Sequence, residues 1–381
     1  MKKIISIICI ISILFSMIAL SAKAVIAPED AISTRTQKLF VIAQARIDEI
    51  TTPGSLVVDN FKEVFDFNGN SFIVFEYLPT GYAIFSEKSG TFLETAPESP
   101  SPYLNHTNDL YYGGPQQYYI LQNEVFSNTI TNANLNKSDV VALKEFSQNL
   151  DEMLISSKNT NITNYLNNKN SVYSTGSRGI TETFYVDNYS RLKNLSDCGY
   201  VDGGYCGYIS AAMLLYYFDA TGHRNVIPGT NSDYYYTNSN NKYVLKDNLT
   251  EELIDIGVDL GFSPSTTSYA IHRVVKQYLT SKSITSNIDH TSLFAPLFTK
   301  FQISQKINNN EPVIIFGDHY SPSHNDTIFH AVLAYGYRAT ISYDEEIYGT
   351  TTYEFIVHFG YDSYPFVYLN GIFGSIYSLS C

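Results

Sequence analysis

Residues 203–219 read GGYCGYISAAMLLYYFD: two glycines, a cysteine and then an apolar run. Ile209, Ala212, Met213 and Tyr216 recur at i, i+3, i+4 and i+7, the spacing of a helix with one stripe turned to a core. Cys206 therefore stands at or near the start of a helix. There a thiol meets unsatisfied N–H groups and the positive end of the helix dipole, which favour thiolate and make a nucleophile. Gly203 and Gly204 leave space above it, and Gly207 keeps the next position small, so a substrate carbonyl can approach. A buried structural cysteine fits the same local sequence, and both readings stay open.

A thiolate nucleophile needs an imidazole to hold the ion pair and later protonate the leaving amine. Of the eight histidines, His330 is the best placed, inside the apolar strand-like run TIFHAVLAYGYRA (327–339). A satisfied core histidine is the rival reading. His319 and His324, in GDHYSPSHND, are five residues apart in a loop and fit no tight metal-ligand motif. Neither a metal nor an organic cofactor is expected.

Outward from this segment, helical spacing covers 249–262, 268–282 and 293–308. Strand-like runs then follow at 311–318, 327–339 and 351–362, and in the final IFGSIYSLSC. Helices first and antiparallel strands afterwards suggest an α+β domain in two segregated layers. Before it, residues 29–50 have helical spacing and end at the turn signal Pro53-Gly54. Residues 61–94 alternate, with turns at Asn68-Gly69 and Lys88-Ser89-Gly90, and 138–155 return to helical spacing. The polar stretch 156–181 holds too few apolar groups to repay its ordering and reads as a linker.

The 381 residues exceed one ordinary domain and are ample for two independent cores. Lys2 and Lys3, an Ile/Leu/Phe/Met-rich stretch and Ala22-Lys23-Ala24 form the pattern of a secretory signal, residues 1–24. The domain reading is then a first domain at 25–155, the linker at 156–181 and a second domain at 182–381. Loss of Lys2, Lys3 and Lys23 with the signal takes the formal charge from −13 to −16. So acidic a chain is repelled by nucleic acid and anionic lipid, and points to peptide or protein partners outside the cell. Its richness in Ile, Asn, Lys, Ser and Tyr, with no Trp, suggests an AT-biased bacterial gene. Cys9 leaves with the signal, and the remaining Cys198, Cys206 and Cys381 are an odd count. Cys206 is the candidate for the free thiol, with Cys198 and Cys381 as the pair that would leave it so.

Cys-Gly before an Ala-containing helix, then His330-Ala331-Val332 with Gly336-Tyr337 behind it, then a Gly-aromatic strand, resembles the papain-like cysteine peptidases. Cys206 and His330 are 124 residues apart, near the roughly 130 to 150 of papain-type enzymes and in the same chain order. The nearer likeness is to the streptopain-like secreted bacterial peptidases. Their inhibitory propeptide has segments similar to Asp66–Asn70, Pro79–Tyr82 and Ser99–Tyr103 here. The resemblance implies a helical half facing an antiparallel β-barrel half, preceded by a small α+β inhibitory propeptide. It implies a secreted zymogen that cuts itself in the linker, near 172–181, and acts on peptides or proteins without remaining in a membrane.

By the same resemblance Cys206 attacks and His330 carries the proton. Where these enzymes place the oxyanion glutamine, six residues before the nucleophile, this chain has Tyr200, and Asn194 is the other candidate donor. Where they have Asn-Trp-Gly-Trp, it has His358-Phe359-Gly360-Tyr361. His358 matches the group that orients His330, Phe359 would shield the pair from water, and Asp362 is the rival orienter, favoured by chemistry. Other functions fit as well: an inactive adhesion or peptide-binding protein on the same scaffold, or a cell-wall amidase or transpeptidase.

Overall fold

The computed structural model describes residues 34–107, 109–156, 180–201, 205–222, 226–228, 233–262, 267–284, 287–291, 296–316, 331–342, 350–370 and 375–380. In the first half, helix α1 (Thr34–Ile50) precedes strands β1 (Val57–Phe65), β2 (Ser71–Leu78), β3 (Tyr82–Ser86) and β4 (Phe92–Ala96). Strands β5 (Leu110–Tyr112), β6 (Tyr118–Gln122) and β7 (Val125–Asn128) and helix α2 (Lys137–Ser156) complete it. The second half starts with β8 (Ile180–Tyr185), α3 (Ser190–Lys193), β9 (Leu195–Cys198) and α4 (Cys206–Ala220). It continues through β10 (Tyr235–Thr237), β11 (Tyr243–Leu245), α5 (Asp247–Asp259), α6 (Ser268–Ser281), β12 (Asn287–Thr291) and α7 (Pro296–Asn308). It ends in β13 (Val313–Phe316), β14 (Ala331–Ser342), β15 (Thr350–His358), β16 (Val367–Asn370) and β17 (Ser375–Ser380). The protein is thus a mixed α+β fold built on a large, mostly antiparallel sheet.

Local chemistry makes the first hairpin. Asp66 Oδ1 accepts the N–H groups of Asn68 and Asn70, both at 2.8 Å, and Gly69 takes φ +84°, where a Cβ would be strained. That turn sets the register of β1 on β2, with Phe65 opposite Ser71. Helix α1 then lays Leu39, Ala43 and Ile47 over Phe75 and Phe85 of the sheet.

Helix α4 departs from the single apolar stripe expected of it. Every residue from Gly207 to Phe218 is buried. The cause is its place between β13 and β14 on one side and α5 and α6 on another, so it has no solvent face and carries apolar residues all round. Gly257 lets α5 come close, since a Cβ there would lie 2.3 Å from the Tyr208 hydroxyl.

The main sheet runs in the order β12-β17-β13-β14-β15-β16-β4-β3-β2-β1-β5-β6-β7, with β8 on the far part of β14. Its two halves are joined at β16 and β4, where Tyr368 faces Thr95 and Leu369 faces Glu94. The sequence suggests two independent cores. The first half has a cluster of its own, with Leu39, Ile47 and Phe75, while Tyr82, Ile84 and Leu93 share a buried cluster with Tyr364, Val367 and Leu369 of the second half. Charge crosses the seam too. Arg46 on α1 binds Glu354 on β15 through both nitrogens, at 3.0 and 2.5 Å, and Arg338 on β14 reaches Glu49 at 2.5 Å. The linker residues 157–179 lie outside the described residues.

Candidate active site

Cys206 is the first residue of α4 and is half-buried. Tyr205 precedes it in a non-helical conformation, and the Tyr205 carbonyl accepts the N–H groups of Tyr208 and Ile209, so the helix begins at the cysteine. The start of β14 is fastened to this turn at both of its polar groups. The Ala331 N–H donates to Cys206 Sγ over 3.4 Å, and Ser210 Oγ donates to the Ala331 carbonyl over 3.2 Å. Cys206 and Ser210 are four residues apart and lie on one face of the helix. His330 lies outside the described residues, as do Gly203, Gly204, His319, His324 and Cys381.

His358 closes β15, with Leu333 opposite it on β14. Its side chain is fully buried, and burial pushes its pKa down to about 3, so the imidazole is neutral. Nδ1 accepts the Gly360 N–H at 3.0 Å, which puts the single proton of the neutral ring on Nε2. Nε2 has no hydrogen-bond partner among the described residues. In this tautomer the free nitrogen of His358 is a donor and not an acceptor. Gly360 has φ +77° and sits on Ile209 of α4, where a Cβ would meet Ile209 Cγ2 at 3.2 Å. The turn after β15 is thereby pressed onto the turn that carries Cys206.

Asp362 Oδ1 accepts the Cys198 N–H at 3.1 Å, so this carboxylate ties the same turn to the end of β9. Desolvation first, and then the Asp197 carboxylate, raise the pKa of Asp362. Cys198 is buried, and burial followed by the charge of Asp362 holds its thiol well above the usual range. It forms no disulfide among the described residues. Tyr200 lies next to Tyr361, with ring centroids 5.3 Å apart. The Tyr361 hydroxyl is held well above the ordinary phenol value, by burial first and then by the charges of Tyr200 and Cys206. Two phenols and the thiol thus share one neighbourhood. Asn194 is exposed at the C-cap of α3, before the first residue of β9.

The site contains two groups that sequence reasoning did not single out. The Ala331 N–H has no side-chain signature. Tyr361 had one, its place directly after His358-Phe359-Gly360. No group of three or more His, Cys, Asp or Glu that could hold a metal occurs among the described residues, and no helix there is long and apolar enough to cross a membrane. No protein-family model matches the chain, and no curated protein matches it.

Proposed function

We propose that the protein is the secreted zymogen of a papain-like cysteine endopeptidase, with residues 182–381 as the catalytic domain and 25–155 as its inhibitory propeptide. The observation that carries this reading is the meeting of Cys206, at the first position of a buried helix, with Ala331 at the start of β14. His330 is joined to Ala331 by one peptide bond, and consecutive Cα atoms are about 3.8 Å apart. In this reading His330, next to Ala331 in sequence, is the acid and base.

In this reading the Cys206 sulfur attacks the scissile carbonyl carbon, the C–N bond breaks as the thioester forms, and His330 gives the leaving amine its proton. Water then attacks the thioester, His330 takes the proton, and carboxylic acid and free thiol are released. The helix start and the Ala331 N–H both direct partial positive charge at the sulfur. Tyr200, at the position of the missing glutamine, would serve the oxyanion in this reading, with Tyr361 beside it, ring centroids 5.3 Å apart. In this reading the helices behind Cys206 and the antiparallel strands from β13 onward would be the two halves of the enzyme.

The second reading is a catalytically inactive peptide-binding protein on the same scaffold. It is favoured by the His358 tautomer, which leaves no acceptor on that ring to orient His330. The two readings part on the thiol. Iodoacetamide or an epoxide probe near pH 7 should label Cys206 rapidly in the enzyme, and label should be lost in Cys206→Ala. Slow labelling, equal to that of a denatured thiol, would favour the binding protein.

A further inference from the structure

Glu94 lies on β4, the strand through which the first half of the chain pairs with β16 of the second. Its side chain is fully buried. The Tyr118 hydroxyl on β6 donates to Glu94 Oε1 at 2.5 Å, and the Tyr82 hydroxyl on β3 lies 3.1 Å from that of Tyr118. Glu94 Oε2 has no hydrogen-bond partner among the described residues.

Among the described residues, the titratable groups that respond to this carboxyl are phenols. Tyr82 comes from β3, Tyr118 from β6, Tyr112 from β5 and Tyr103 from the turn before β5, and Tyr364 comes from the turn between β15 and β16. Burial, and then the charge of Glu94, hold each of them above the ordinary phenol value. No ion pair among the described residues includes Glu94. The cations of the seam are engaged elsewhere, Arg46 and Arg338 by Glu354 and Glu49, and Lys193 by Glu98. Tyr364 belongs to the second half, and its ring is 6.2 Å from that of Tyr82. A negative charge on Glu94 would therefore load the seam itself, in a place with no counter-ion to offset it.

We propose that Glu94 is a proton-operated latch on the β4–β16 seam: the two halves close over the neutral carboxyl, and its ionisation loosens them. This device is independent of the peptidase reading, since it needs only the two halves and their shared sheet. Burial pushes the pKa of Glu94 up from the ordinary 4.5 to about 8. Between those values the closed seam keeps a proton that an opened, hydrated carboxyl gives up. Opening is then favoured by rising pH from about 4.5 to about 8, and does not change with this group above that window. One proton corresponds to at most about a tenfold rise in the opening equilibrium per pH unit.

The test is hydrogen exchange at the amides of Glu94, Thr95, Tyr368 and Leu369 in the full chain, carrying Cys206→Ala so that it stays in one piece. Rates are corrected for the intrinsic pH dependence of exchange. The opening equilibrium should climb between pH 5 and 8 and level off near 8, whereas Glu94→Gln, which cannot ionise, should give a flat profile. A Glu94→Gln chain with the wild-type slope would overturn the proposal. Should that variant fail to fold, Tyr118→Phe decides. It removes a hydrogen bond that lowers the Glu94 pKa, so the levelling point should move to higher pH, and an unmoved point would overturn the proposal.

Discussion

Ser210 holds Ala331 in place: its hydroxyl donates to the Ala331 carbonyl at 3.2 Å, while the Ala331 N–H is directed at the sulfur of Cys206 at 3.4 Å. One buried serine on α4 thus fixes the distance between Cys206 and the start of β14. Replacing Ser210 with alanine leaves a buried carbonyl without that donor, at about 1–2 kcal/mol. Turnover by Ser210→Ala should fall at least tenfold with little change in KM, because alignment and not binding is lost. Unchanged kcat, measured on a folded variant, would show that the serine only fills space.

His358 should shape stability on the acid side. Its folded pKa is near 3 against the ordinary 6.5, so the unfolded chain binds one more proton between those values. The stabilisation that the neutral ring contributes is complete above pH 6.5 and is lost as pH falls towards 3, by up to about 1.4 kcal/mol per pH unit. Urea unfolding of wild type and His358→Asn from pH 7 to 4.5 checks this. The gap between them should narrow steadily as pH falls. A gap that stays constant would mean that the ring is not buried in the neutral form.

Helices α4 and α5 touch at Tyr208 and Gly257. An alanine at 257 would place its Cβ 2.3 Å from the tyrosine hydroxyl, inside a core where Tyr208 is fully buried. Gly257→Ala should cost about 1–3 kcal/mol despite the better helix propensity of alanine. Tyr208→Phe removes the clashing oxygen, which has no hydrogen-bond partner among the described residues, and should recover part of that loss in the double variant. Independent, additive effects would place the two residues apart.

Across the seam, Arg46→Ala leaves Glu354 with the longer contacts of Arg338 Nη1 to its two oxygens, both at 3.4 Å. With side-chain exposures of 6% and 12% the Arg46–Glu354 pair is mostly desolvated, and its breakage should cost about 3 kcal/mol. Glu354→Ala in the same background should then add less than it does alone. A double-mutant cycle with coupling below about 0.5 kcal/mol would show that the pair contributes nothing to holding the halves together.

Legibility in the sequence followed the range of the interactions. The Asp66–Asn70 hairpin could be read because its own side chain and glycine make the turn. The helix after Cys206 could be read from its apolar run, but not its burial on every side, which depends on β13, β14, α5 and α6. Strand β16 has four residues, too few for a period of two to register, and β5 to β7 have three to five. Glu94 within a strand reads as a residue of the solvent face. Its burial comes from β6 and from β16, which lies more than 270 residues further along the chain. At the site, the residue type at 358 was legible, but the Gly360 N–H that fixes its tautomer is a property of the folded turn.

The central claim, that Cys206 and His330 act as one hydrolytic unit, is tested most directly by turnover. Purified protein cut in the linker should be incubated with a diverse peptide library beside Cys206→Ala, His330→Ala and the double variant. The account predicts cleavage by wild type, a loss of about a thousandfold or more in each single variant, and no further loss in the double, since groups that act together do not add. Cleavage that persists in Cys206→Ala would contradict it, as would a wild type that labels slowly at Cys206 and cuts nothing.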